Sequence, residues 1–216
     1  MESIRSSLPV LNFGSNADSK KTAKADKKAD KKANPSTNTS SVPPPPAPAE
    51  VSPIAECEFR VGIIKEVWKH PESDKLYCEK IDFQDLTGLR EIASGLVPHF
   101  TLEQMQNRRV VVITNLKPRP LAGFMSNGMV LCATSAEGKV EFVEPPAGAV
   151  IGERITFEGH TGPAAEPNRM AKKKIFEAVA PELIVNDNLQ ATYKGIPFMT
   201  SAGPCTVVSA KGGLIK

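Results

Sequence analysis

Lys117 and Arg119 carry the most specific chemistry in the chain. They stand in Asn115-Leu116-Lys117-Pro118-Arg119-Pro120, where two prolines in three residues fix the backbone and remove ladder donors. Two cations on a stiffened tip are held at a set separation, which suits the capture of phosphate oxygens. Asn115 and Ser126, on either side of the tip, add neutral groups able to bond phosphate or 2′-hydroxyl oxygens. Catalytic chemistry finds no comparable support. His70, His99 and His160 are scattered, no Gly-x-Ser-x-Gly element is present, and the glycines form no phosphate-cradling loop. Glu72, Asp74 and Lys75 read as a charged turn, not an acid/base pair. Cys57, Cys78, Cys132 and Cys205 include no Cys-x-x-Cys pair, so neither a metal site nor a disulfide framework is expected. Buried free thiols in a reducing, cytoplasmic setting fit best. No cofactor is expected.

The tip needs strands to carry it. Arg108–Thr114 before it is β-branched and apolar, and Met129–Ala133 after Gly128 resumes the pattern. Phe59–Trp68, Leu76–Phe83 and Leu89–Ser94 read as three further strands, with turns at His70–Lys75 and Asp85–Gly88. A short helix is expected near Pro98–Gln106, with Thr101 and Glu103 at its start, and short strands at Lys139–Val143 and Ile155–Phe157. Several short strands with one helix before the fourth predict a mainly β fold, a five-stranded barrel of the OB type over residues 54–160. Residues 161–216 read as a small α+β extension that packs on the barrel: a helix over Lys172–Val179, then strands within Gln190–Phe198 and Cys205–Val208.

Residues 1–53 have another texture. Lys20, Lys24, Lys27, Lys28 and Lys31 fall at helical spacing in a Lys/Ala/Asp tract that lacks an apolar stripe, so the segment is expected to be disordered alone. It is either a solvated tail or an auxiliary grip on a phosphate backbone. Val42–Pro48 is an extended polyproline spacer, with a proline-motif ligand as the alternative. No stretch approaches the length of a membrane span, and the N-terminus lacks a secretory apolar core, organellar targeting being the alternative to a cytoplasmic place. The formal charge of +3 is uneven. Residues 1–53 hold eight basic against five acidic residues, 54–160 twelve against fifteen, and 161–216 seven against four. A polyanion must therefore meet local patches.

Ordered blocks of sequence across roughly three quarters of the chain carry a family resemblance. They include Arg60-Val61-Gly62 with His70–Tyr77, Ser94–Val97, Leu102–Arg108, Asn115-Leu116-Lys117-Pro118, Ser126–Ala133, Gly152–Phe157, Lys172–Phe176 and Ala191–Phe198. Residues 59–216 resemble the endothelial-monocyte-activating polypeptide II-like tRNA-binding domain of aminoacyl-tRNA synthetase accessory proteins, also fused to some tyrosyl-, methionyl- and lysyl-tRNA synthetases. The resemblance implies an OB-fold that binds tRNA by shape and backbone. It also implies a synthetase partner (methionyl-, tyrosyl- or other), and an extension that imitates a dimer interface and leaves the folded part monomeric. The residues it points to are Arg60, Lys65, Asn115, Lys117, Arg119, Ser126, Met129, Lys172, Lys173 and Lys174. Arg60 and Lys65, at odd spacing on one strand, are expected on opposite faces. Where much of the family continues the loop with another Lys and Arg, this chain has Pro120 and Ala122. Two fewer cations should shallow the log–log salt slope by roughly two units. The alternatives are a scaffold of a multi-synthetase complex and a cytokine-like signalling fragment.

Overall fold

The computed structural model describes residues 51–216. The lysine tract with Lys20, Lys24, Lys27, Lys28 and Lys31, and the polyproline spacer, lie outside the described residues. In chain order the first half comprises α1 (Pro53–Glu56), β1 (Phe59–Lys69), β2 (Tyr77–Asp82), β3 (Arg90–Ser94), α2 (Leu102–Met105) and β4 (Arg109–Ile113). Then follow β5 (Arg119–Leu121), β6 (Phe124–Ser126), β7 (Met129–Val130), β8 (Cys132–Thr134) and β9 (Val140–Phe142).

The strands β3-β2-β1-β4-β7 form one antiparallel sheet that curls into a nearly closed OB-type barrel. β1 is its longest strand and pairs on both sides, with β2 and with β4. Its register with β2 slips between Ile64 and Glu66, a bulge that leaves Lys65 out of the ladder and exposed. α2 is shorter than expected. A capping box starts it: the Gln104 amide donates to Thr101 Oγ1, and Thr101 N–H donates to Gln104 Oε1.

β4 explains why its sequence is apolar without interruption. Val110 and Val112 face the barrel interior with Ile64, Ile81, Ile92 and Phe142. Val111 and Ile113 face a second core with Phe59, Leu183, Phe198 and Ile215. Both faces of the strand are buried, so alternation disappears.

That second core is the contribution of the C-terminal segment. It comprises α3 (Pro167–Lys173), α4 (Ile175–Val179), β10 (Leu183–Val185), β11 (Ala191–Tyr193), β12 (Ile196–Pro197), β13 (Met199–Thr200), β14 (Gly203–Pro204) and β15 (Leu214–Ile215). Its sheet runs β12-β11-β10-β15-β8-β9, so β15 joins the segment to the barrel through Leu214–Thr134 and Ile215–Ala133 pairs. Glu141 on β9 fastens the chain before β15 by accepting from the amides of Ser209 and Ala210, at 2.7 and 3.1 Å. Burial pushes its carboxyl up, but Lys139, Ser209 and Ala210 outweigh burial and hold it at about 2.

Three local expectations change. The helix expected over Lys172–Val179 starts earlier and breaks at Lys174, whose φ of 51° is left-handed. The strand expected over Gln190–Phe198 folds on itself at Lys194-Gly195, where both φ values are positive. Cys205–Val208 forms no regular strand, and Thr206 makes only isolated bridges to Glu144 and Gln190.

A fourth change concerns the tip itself. Arg119–Leu121, expected as a proline-broken loop, pairs with Phe124–Ser126 as a small hairpin. Its two-residue turn, Ala122-Gly123, has φ values of 47° and 87°, the primed geometry that matches strand twist. Alanine at a left-handed position is strained by about 1 kcal/mol or more. Ala122→Asn, which tolerates this conformation, is expected to raise the melting temperature by a few degrees without altering ligand affinity. A drop in melting temperature would contradict this reading of the turn.

Candidate nucleic-acid interface

The barrel closes imperfectly between β3 and the β6–β8 stretch. Ser126 and Asn127 hold one part of this seam: the Ala93 amide donates to Ser126 Oγ at 3.0 Å, and the Asn127 amide donates to Glu91 O at 2.9 Å. Beside these bonds opens a cleft of about 370 Å³. Its floor includes Ser94, Gly95, Leu96, Val130 and Cys132, and Lys117 and Arg119 stand in its lining from the hairpin side. Both cations are exposed and form no ion pair among the described residues. Met129 is half-buried; it lines the cleft and packs against the second core.

A shallower groove of about 660 Å³ lies on the other flank of the same loop, lined by Pro118, Leu116, Leu89, Arg90 and Pro167. Pro167 is the first residue of α3, so this groove joins the loop to the helix that ends in Lys172 and Lys173. Lys172, Lys173 and Lys174 are all exposed and unpaired among the described residues, as is Lys65 at the β1 bulge. The Lys65 carbonyl accepts from Gln106 Nε2 at 2.6 Å, which ties the bulge to the end of α2.

Three expected contact residues are committed to the fold instead. Arg60 gives Nη1 and Nη2 to the Asp85 carboxylate at 2.8 and 2.9 Å, and Nε to Gly152 O at 2.9 Å. Its side chain is only 16% exposed, and its guanidinium stands over the Phe83 ring. The Arg60 hydrogen bonds, foremost, hold the Asp85 carboxyl below its ordinary value. The clamp works because Gly152, at φ 89°, brings its backbone against β1; a Cβ there would lie 2.1 Å from Phe83 O. Asn115 is buried: its Oδ1 accepts from the Glu58 amide at 3.0 Å, and its Nδ2 donates to the carbonyls of Glu56 and Ala165, each at 2.9 Å. Ser126 is buried too, and its hydroxyl donates to Gly128 O at 3.0 Å while accepting from Ala93. Asn115 and Ser126 keep no free donor for a ligand, and Arg60 spends most of its donors on the Asp85 clamp.

The residue reading missed Glu79. It sits at an inward position of β2 between Tyr77 and Ile81, fully buried, and accepts a hydrogen bond from the Ser94 hydroxyl. Its Oε2 has no partner. Burial pushes its carboxyl up to about 8, against the lowering effect of Ser94. The unfolded carboxyl ionises near the ordinary value of about 4.3. Between these values the folded chain keeps a proton that the unfolded chain releases, so stability should fall as pH rises from about 4.5 to about 8. Glu79→Gln should flatten that slope in urea unfolding at pH 5 and pH 8.5; an unchanged slope would place its origin elsewhere.

All four cysteines are buried and free. Burial, foremost, raises the thiols of Cys57, Cys132 and Cys205 to about 12, which makes them poor nucleophiles. Among the described residues no group of His, Cys, Asp and Glu is arranged to hold a metal ion. None of the described helices is long and apolar enough to cross a membrane.

Comparisons with known proteins agree with this architecture. The family model described as "Putative tRNA binding domain" matches residues 59–154, from β1 past the end of β9. The cytoplasmic methionine–tRNA ligase of Arabidopsis thaliana is 46% identical over 177 residues, covering 81% of this chain and 22% of the relative. The aminoacyl tRNA synthase complex-interacting multifunctional protein 1 of Mus musculus is 44% identical over 162 residues, 74% of this chain and 51% of the relative. The chain thus spans about a fifth to a half of the length of these curated relatives. The crystal structure of the C-terminal domain of Plasmodium vivax p43 superposes with a TM-score of 0.70 at 34% identity, covering 76% of this chain and 98% of that domain. The likeness to p43 extends over barrel and C-terminal segment together. This chain belongs to the endothelial-monocyte-activating polypeptide II-like family of tRNA-binding domains.

Proposed function

We propose that this chain is a non-catalytic tRNA-binding protein that reads tRNA by shape and backbone and delivers it to an aminoacyl-tRNA synthetase. The observation that carries this reading is the pair Lys117 and Arg119: exposed, unpaired among the described residues, and placed where the chain enters a small hairpin beside a cleft in the barrel wall. Lys172, Lys173 and Lys174 add exposed charge at the end of α3, whose first residue, Pro167, lines the adjoining groove, and Lys65 adds an outlying charge. The lysine tract at 20–31 supplies a tethered second grip on the phosphate backbone, raising local concentration without adding sequence preference. The name of the Arabidopsis thaliana relative favours a synthetase partner of the methionyl kind and a cytoplasmic place, with a tyrosyl partner as the alternative. The C-terminal segment covers one face of β1 and β4 that would otherwise be open, which favours a monomeric folded part.

The test is a binding titration of the intact chain against mixed tRNA across a salt series, with duplex DNA of similar charge as competitor. Preference for tRNA with a steep salt dependence supports the barrel as a reader of folded RNA. Equal binding to both polymers, abolished by deleting residues 1–50, assigns the grip to the lysine tract alone. Absence of binding rejects the reading.

A further inference from the structure

The cleft beside Lys117 and Arg119 is more than a gap in the barrel. It encloses about 370 Å³, within the usual range for small-molecule sites, and its walls are largely apolar: Leu96, Leu116, Leu121, Val130 and the Met129 side chain. Phosphate alone needs no such walls. His99, whose planar imidazole is suited to stacking on a base, is also among its lining residues. One built polar feature meets it from within. Ser94 lines the cleft, and its hydroxyl donates to Oε1 of Glu79, whose second carboxyl oxygen is buried with no partner. With the Glu79 proton on Oε2, Oε1 takes the Ser94 proton, and what the Ser94 oxygen offers to the cleft is a lone pair.

We propose that this cleft receives one unstacked nucleobase of the bound RNA, with Ser94 Oγ accepting from an amino group on the base edge and Lys117 and Arg119 holding the flanking phosphates. The proposal rests on the tRNA-binding reading and adds a modest base preference to it. Glu79 acts as a positioning residue, since it fixes the direction of the Ser94 hydroxyl. Cytosine presents a 4-amino donor where uracil presents a 4-oxo acceptor, so an oxygen acceptor in the protein distinguishes bases of the same size.

The experiment has two arms on the intact chain. In the first, amide resonances are followed while cytidine 5′-monophosphate, uridine 5′-monophosphate and ribose 5-phosphate are titrated separately. Cytidine monophosphate should shift the amides of Ala93–Leu96 and Val130–Cys132 with about fivefold higher affinity than uridine monophosphate, the size of one hydrogen bond. Ribose 5-phosphate should move only Lys117 and Arg119. Identical shifts from ribose 5-phosphate, or tighter occupancy by N-acetyl-leucinamide, would overturn the proposal in favour of a phosphate or a protein side chain. In the second arm the cleft is filled. Gly95 lines it, is exposed, and would set an added Cβ in open space, so Gly95→Trp obstructs the site without strain on the fold. This variant should weaken mixed-tRNA binding at least about fivefold, the lower end for one stacked base, with the salt slope unchanged. Unaltered affinity in Gly95→Trp, when the unsubstituted chain binds tRNA, rejects the base pocket and leaves the tRNA reading standing. A chain that binds no tRNA at all rejects both.

Discussion

Lys117→Ala together with Arg119→Ala is expected to weaken tRNA binding by about tenfold or more near 0.1 M salt and to shallow the log–log salt slope by roughly 1.5. The magnitude follows from counting: each phosphate contact releases condensed counterions and contributes a slope of about 0.7 to 0.9. The melting temperature should stay within about a degree, because neither side chain makes an ion pair or a hydrogen bond that the fold uses. That separation of binding from stability is what distinguishes a ligand contact from a structural cation. It also separates a tRNA carrier from a scaffold, since synthetase docking through another surface should survive the double substitution. A slope that does not change would shift the phosphate contacts to Lys172–Lys174 or to the lysine tract.

The exposed cations were legible in the sequence for a simple reason. A lysine between a leucine and a proline, on a connection between two apolar strands, has nowhere to go but solvent. The barrel was legible because β4 carries an unbroken β-branched run and β1 several β-branched residues. Polar residues were harder to read, because their partners are set by tertiary contacts. Asn115 bonds to Glu56 and Ala165, which are 59 and 50 residues away, and no local pattern announces that. Arg60 looked like a strand cation until Asp85, 25 residues on, claimed its guanidinium. Glu79 had a readable signal that went unused: it shares the inward parity of Tyr77, Ile81 and Phe83, where a carboxyl is expensive to bury. A charge at an apolar position of an otherwise regular strand marks a polar feature inside the barrel. Here it lies directly behind Ser94 and the cleft.

Asn115→Ala should produce the opposite signature to the loop cations. Asn115 stands just before the Lys117 tip and ties together three parts of the chain: the end of α1 through Glu56, the start of β1 through Glu58, and the approach to α3 through Ala165. Alanine removes three hydrogen bonds: the Glu58 amide and the Ala165 carbonyl lose the side-chain partner they had, and the Glu56 carbonyl keeps only the Ala165 amide, at 2.8 Å. At about 1 kcal/mol for each bond the loss comes to about 3 kcal/mol. For a folded unit of this size that is a fall in melting temperature on the order of 10 °C. Binding should weaken only as far as the fold does, and the salt slope of the folded fraction should match that of the unsubstituted chain, because no phosphate contact has been removed. Urea unfolding gives the first quantity and a low-temperature salt series the second. If Asn115→Ala keeps its stability and loses tRNA affinity, the amide contacts RNA. If it loses stability and keeps the slope, its work is to hold the loop cations against the C-terminal segment, so that Lys117 and Arg119 meet the ligand from a fixed platform.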